Sequence, residues 1–217
     1  MNEEKLKQAE RWFLQRYPGG FFDPELAAIG KRHRLDKMQG FVQEHLSKKC
    51  FRDTDEILDN WVKLISRSSL VSVFEKPKFK DLVASLTAKE RNQFAAGLKA
   101  QLYGDAEAGF EKVLKLLLAY KFGKWSIISL APVYANPQDE VFVKPTTAKG
   151  IITHFELENL LYRPQPSWAF YENFRKQVQH MRSLVDPSLS PSSLAFTGFL
   201  MMTLRAGEEF AGQAHYP

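Results

Sequence analysis

Cysteine is almost missing from this chain of 217 residues, where Cys50 stands alone. An internal disulfide or an all-cysteine zinc site therefore has no material. The five histidines, His33, His45, His154, His180 and His215, include no pair at i,i+3 or i,i+4, so one helix face cannot supply two metal ligands. The 12 glycines are scattered singly apart from Gly19-Gly20. No Gly-x-Gly-x-x-Gly and no Walker loop occurs, which argues against ATP and NAD enzymes because both need backbone amides wrapped round phosphate. A Gly-x-Ser-x-Gly nucleophile elbow is absent too. Long apolar runs are also lacking. The longest, Ser192 to Leu204, is interrupted by Thr197 and Gly198 and falls short of the roughly 20 residues of a spanning helix. Met1-Asn2-Glu3-Glu4-Lys5 has neither the basic start nor the apolar stretch of a secretory signal. The expectation is a soluble cytoplasmic protein without membrane contact, metal or cofactor.

What is present is ordinary globular composition, 44% hydrophobic and 25% charged, which excludes a disordered or low-complexity chain. Amphipathic helices are legible from spacing and caps. Leu6, Ala9, Phe13 and Tyr17 mark a first helix. Asp23-Pro24 opens a second, with Gly30 expected to break or bend it, and Leu35, Met38, Val42 and Leu46 mark a third. Asp53 caps a helix with Ile57, Leu58, Trp61 and Ile65 on one face. Thr87-Ala88-Lys89-Glu90 is a capping box, and Gly104-Asp105 ends that helix and caps the next, so residues 87–121 predict an antiparallel helical hairpin. Ser167 caps a long helix, and Ser190-Pro191 opens an apolar one expected to end by Gly207.

After Gly123 the texture changes. Trp125 to Leu130 and Val141-Phe142-Val143 are β-prone runs bounded by Pro132, Pro137 and Pro145, which predict a small hairpin with its tip at Asn136 to Asp139. The predicted architecture is mainly α: a multi-helix bundle with a small β-hairpin insertion in the C-terminal half. Residues 1–122 form the helical region, 123–207 carry the hairpin and the helices packed on it within one compact domain, and 208–217 form a frayed tail.

Charge is uneven. Residues 1–60 hold 11 basic and 11 acidic side chains, residues 61–124 hold 12 and 6, and residues 125–217 hold 7 and 8. The excess is central, around Lys76, Lys78 and Lys80, and such lysines can track phosphates by counterion release. From Lys121 to Tyr171 basic and aromatic residues interleave, including Lys124, Trp125, Lys144, Lys149, Tyr162, Arg163, Trp168 and Tyr171. That mixture can stack bases and neutralise phosphates, although the tryptophans also suit a core. A looser set, Asp139, Glu140 and Lys144 with His154 nearby, is the closest approach to a metal-dependent nuclease or another enzyme centred on Lys144.

Phe122-Gly123-Lys124-Trp125, Val141-Phe142-Val143-Lys144-Pro145, Tyr162-Arg163-Pro164, Trp168 and Tyr171 together resemble a group of uncharacterised bacterial proteins. These share a Lys-Trp…Phe-Val-Lys-Pro…Tyr…Pro…Trp…Tyr pattern. The resemblance spans about residues 121–200 and implies no established activity, only a loose association with DNA-related bacterial genes. Ser126 stands where the pattern has proline, and Ser192-Ser193-Leu194-Ala195 where it has a more acidic approach.

The residues point to a non-catalytic binding or adaptor protein whose partner is nucleic acid or a nucleic-acid-processing protein. Lys76, Lys78, Lys80, Lys124, Lys144, Lys149 and Arg163 are the candidate contacts. The alternatives are an interaction subunit docking through the apolar helix from Leu194 to Leu204, and an enzyme of unrecognised type centred on Lys144.

Overall fold

The computed structural model describes residues 1–213, with side chains described outside residues 29–33 and 205–213. The first helix, α1 (Glu3–Arg16), starts where Asn2 Oδ1 accepts from Lys5 N at 3.1 Å. It buries Leu6, Ala9 and Phe13. α2 (Pro24–His33) and α3 (Leu35–His45) follow. α2 runs straight through Gly30, and the break falls at Arg34, which sits at φ 53°. One glycine is only about 1 kcal/mol poorer than alanine inside a helix, too little to end one.

α4 (Thr54–Arg67) begins where Asp53 accepts from Asp55 N and Glu56 N at 2.9 and 3.0 Å. Its Trp61 ring packs against Phe79 of α5 (Glu75–Ser85) and Phe94 of α6 (Ala88–Tyr103) at centroid distances of 5.3 and 4.5 Å. α6 carries the expected Thr87/Glu90 capping box, and α7 (Ala106–Ala119) is capped by Asp105. The two form the predicted helical hairpin and touch backbone to backbone. A Cβ on Gly109 would stand 2.1 Å from Gln101 N, and one on Gly97 would stand 3.1 Å from Val113 Cγ2.

The predicted β-hairpin is not there: among the described residues no strand occurs. Residues 125–135 are two short helices, α8 (Trp125–Ile128) and α9 (Leu130–Ala135), and residues 141–143 are an extended segment without a ladder. Every residue from Trp125 to Tyr134 is buried. A short run buried on all sides shows no period that separates strand from helix. Pro132 lies in the first turn of α9, where no amide donor is needed. The carbonyl of Ile128, four residues earlier, is left without a helical partner, and the buried Gln101 Nε2 donates to it at 3.0 Å. Ser129 Oγ donates to Trp125 O at 2.7 Å and accepts from Val143 N at 3.1 Å, taking the place of a ladder bond.

The extended chain is gripped instead by a stripe of α11 (Trp168–Ser183), which Ser167 caps as expected. Tyr171, Arg175, Gln179 and Arg182 fall on one helix face by their i,i+4,i+8,i+11 spacing. Tyr171 and Arg175 donate to the two carboxylate oxygens of Glu140 at 2.6 and 2.7 Å. Gln179 donates to the carbonyls of Gln138 and Asp139 at 3.0 and 2.8 Å, and Arg182 donates to Gln138 Oε1 at 3.0 Å.

α10 (Pro145–His154) precedes α11, and α12 (Ser193–Gln213) continues past Gly207. Residues 214–217 of the expected frayed tail lie outside the described residues. α12 packs its Phe199 edge-on against Phe13 of α1 at 5.1 Å. Among the described residues no helix is long and apolar enough to cross a membrane.

Candidate nucleic-acid interface

α7 ends in a tight turn. Lys121 N donates to Leu118 O at 2.9 Å and Phe122 N to Leu117 O at 2.8 Å, the two bonds of a Schellman motif. Phe122 and Leu117 close it as the buried apolar pair. The motif needs a left-handed residue, and here that residue is Lys121, at φ 54°. Glycine takes this conformation freely, whereas a side chain costs about 1–2 kcal/mol there. Phe122 also lies 6.5 Å from Phe79 of α5, which brings α5 alongside the turn.

Between them lies a groove of about 740 Å³. Phe74, Lys78, Tyr120, Lys121 and Lys124 line it, along with Glu75 and Asp81. The Glu75 carboxylate is held by Ser126 Oγ, which donates to it at 2.7 Å. Lys78, Lys121 and Lys124 are exposed, and among the described residues none forms an ion pair. Two chain segments, α5 with its lead-in and residues 120–124, thus bring three ammonium groups outside any ion pair to one concave surface, which the Glu75 and Asp81 carboxylates also line. Burial and a bond with Glu90 raise the Tyr120 phenol, so it is protonated at neutral pH and donates rather than adding negative charge.

Of the sequence-derived candidates, Lys78 and Lys124 meet in this groove. Lys76 and Lys80 sit on the same helix, two positions to either side of Lys78, and turn to another face. Lys149 and Arg163 belong to a different cluster. Trp125 Nε1 donates to Arg163 O at 2.9 Å, and Lys149 Nζ stands 5.0 Å from the centre of the Tyr162 ring. Lys144 is exposed immediately before α10. The tryptophan and tyrosine of the basic-aromatic stretch go largely to the core: Trp125 and Tyr171 are buried, and Trp168 is half-buried.

Phe74 escaped the sequence reading as a contact, and Lys121 was named there at the head of the basic-aromatic stretch but not among the candidate contacts. Lys121 falls in phase with the apolar face of α7, so its spacing suggested helix rather than a turn beyond it. Phe74 has a weak signal: an aromatic residue with no periodic partner, next to a basic run.

Glu140 is engaged by Tyr171 and Arg175, and neither Lys144, Glu140 nor His154 lines this groove or the neighbouring one of about 560 Å³ along α7. Complete burial, reinforced by the adjacent Glu140 carboxylate, raises the Tyr171 phenol well above its ordinary value, so it serves as a fixed donor. Burial and the Lys5 charge lower His154. On the apolar helix offered as a docking surface Phe196, Phe199 and Leu200 are fully buried, whereas Met201 and Met202 are half-buried. No family model, curated protein or solved structure matches the chain.

Proposed function

We propose that this is a non-catalytic nucleic-acid-binding protein and that the groove between α5 and the end of α7 is its phosphate track. One observation carries the reading: Lys78, Lys121 and Lys124 converge unpaired on one groove, and Lys121 does so from a backbone conformation that glycine would adopt at lower cost. Ammonium groups that form no ion pair can exchange condensed counterions for phosphates, which favours binding through the entropy of ion release. Lys76 and Lys80 add to the positive field that steers an anionic chain toward the groove.

Anisotropy of labelled oligonucleotides at about 50 and 200 mM salt tests this. Wild type should bind at low salt and weaken steeply as salt rises. The triple substitution of Lys78, Lys121 and Lys124 by alanine should lower the salt slope by about 2 for a single strand, at about 0.7 per phosphate contact. Lys144→Ala, away from the groove, should leave the slope unchanged. Absence of binding by the wild type at low salt, or an unchanged slope in the triple variant, overturns the reading.

A further inference from the structure

Resting on the reading of the groove as a phosphate track, we infer that Phe74 is a stacking platform at its rim and that the ligand is single-stranded nucleic acid rather than duplex. Phe74 is 77% exposed and its neighbour Val73 69% exposed, so neither packs in the core. Nor is Phe74 loose. Ser72 Oγ accepts from Phe74 N at 3.3 Å, and Ser72 O accepts from Glu75 N at 3.0 Å and Lys76 N at 3.3 Å. Ser72 thus caps the turn that leads into α5, and the backbone of Phe74 is held while its ring stays outside.

Capping is done by the serine and core packing by Phe79, Leu82 and Val83. The Phe74 side chain contributes to neither. It lines the same groove as the three lysines, so an aromatic side chain and three ammonium groups lie within one site. This combination matches a single strand, whose backbone tracks the cations while an unpaired base lies on the ring. In a duplex each base face is already covered by its neighbours, so the ring has nothing to stack on. A partner protein with acidic and apolar side chains would meet the same lysines, but its contact with residue 74 would need apolar area rather than a planar ring.

The test compares an unstructured oligothymidine and a duplex of equal length on the wild type, Phe74→Ala, Phe74→Leu and Phe74→Trp. Phe74 is exposed, so thermal unfolding of all four should coincide. The wild type should prefer the single strand. Both Ala and Leu should cost about tenfold in single-strand affinity, with little change for the duplex and no change in salt slope. Trp should retain the affinity and show added fluorescence quenching on binding. Equal affinity of the Leu variant and wild type would overturn stacking in favour of a plain apolar contact. Equal wild-type affinity for strand and duplex would overturn the single-strand assignment while leaving the phosphate track standing. Loss of binding to both probes in the wild type would overturn the track itself.

Discussion

At the ends of α7 and α10 the chain makes the same turn with different consequences. Each places a charged residue in the left-handed region, Lys121 at φ 54° and Glu156 at φ 53°. Each is followed by a buried apolar residue whose amide reaches five residues back, Phe122 to Leu117 and Leu157 to Ile152. At the α10 end the strained residue is tied down: Lys5 Nζ and Asn2 Nδ2 donate to Glu156 at 2.7 and 3.1 Å. That carboxylate fastens the start of the chain to α10, alongside the bond from Asn2 N to Phe155 O at 2.8 Å. At the α7 end Lys121 fastens nothing. The same left-handed backbone carries a side chain tied down by two bonds in one case and, among the described residues, a charge outside any ion pair in the other.

Crowding the helix that leads to each turn should have unequal effects. A Cβ on Gly109 of α7 meets backbone at 2.1 Å, which cannot yield without parting α6 from α7, whereas one on Gly150 of α10 meets the tip of Leu204 at 2.7 Å. Gly109→Ala should therefore cost about 3 kcal/mol by overpacking, and Gly150→Ala should cost much less because a side-chain end can move. Urea unfolding of the two variants would measure the gap, and equal losses would refute the contrast.

Substituting the strained residues themselves sharpens it. Lys121→Gly should stabilise the fold by roughly 0.5–1 kcal/mol by relieving the left-handed side chain, while weakening oligonucleotide binding several-fold. Glu156→Gly should bring no comparable gain, because it also removes the bonds from Lys5 and Asn2. Paired thermal unfolding and binding measurements would decide this.

The smallest effect concerns pH. The Lys5 hydrogen bond, then that of Asn2, hold the Glu156 carboxyl below its ordinary value. A depressed folded value stabilises fully above the unfolded value of about 4.3 and is lost as pH falls through the folded one. The Tm difference between wild type and Glu156→Gln should therefore shrink toward zero on acidification from about pH 6 to pH 3.

Much of the helical frame was legible because caps are local: Asp53, Thr87, Asp105 and Ser167 each reach an amide two or three residues ahead. The run from Trp125 to Leu130 was misread because its burial on every side erases periodicity, and the agents that shape it, Gln101 and Ser129, act across the fold. Lys78 and Lys124 were visible as charge. That they share a groove with Lys121 and Phe74 was not, because it depends on Phe79 meeting Phe122 across more than 40 residues of chain. Arg34, Lys121 and Glu156 take positive φ where neither glycine nor asparagine stands, so residue type did not announce these turns, whereas Asn159 is of a type that favours that region.

The edge-on packing of Phe13 on Phe199 has a consequence for how the protein is made. The α6–α7 pair uses contacts near in sequence and can close soon after it leaves the ribosome. α1 instead has to wait for residues made much later, since one of the rings that cover Phe13 comes with α12 and the acceptor for Asn2 N with Phe155. Until α12 is made, part of the apolar stripe of α1 is therefore uncovered, and its late docking removes the kind of exposed apolar surface that makes partly folded chains prone to aggregate.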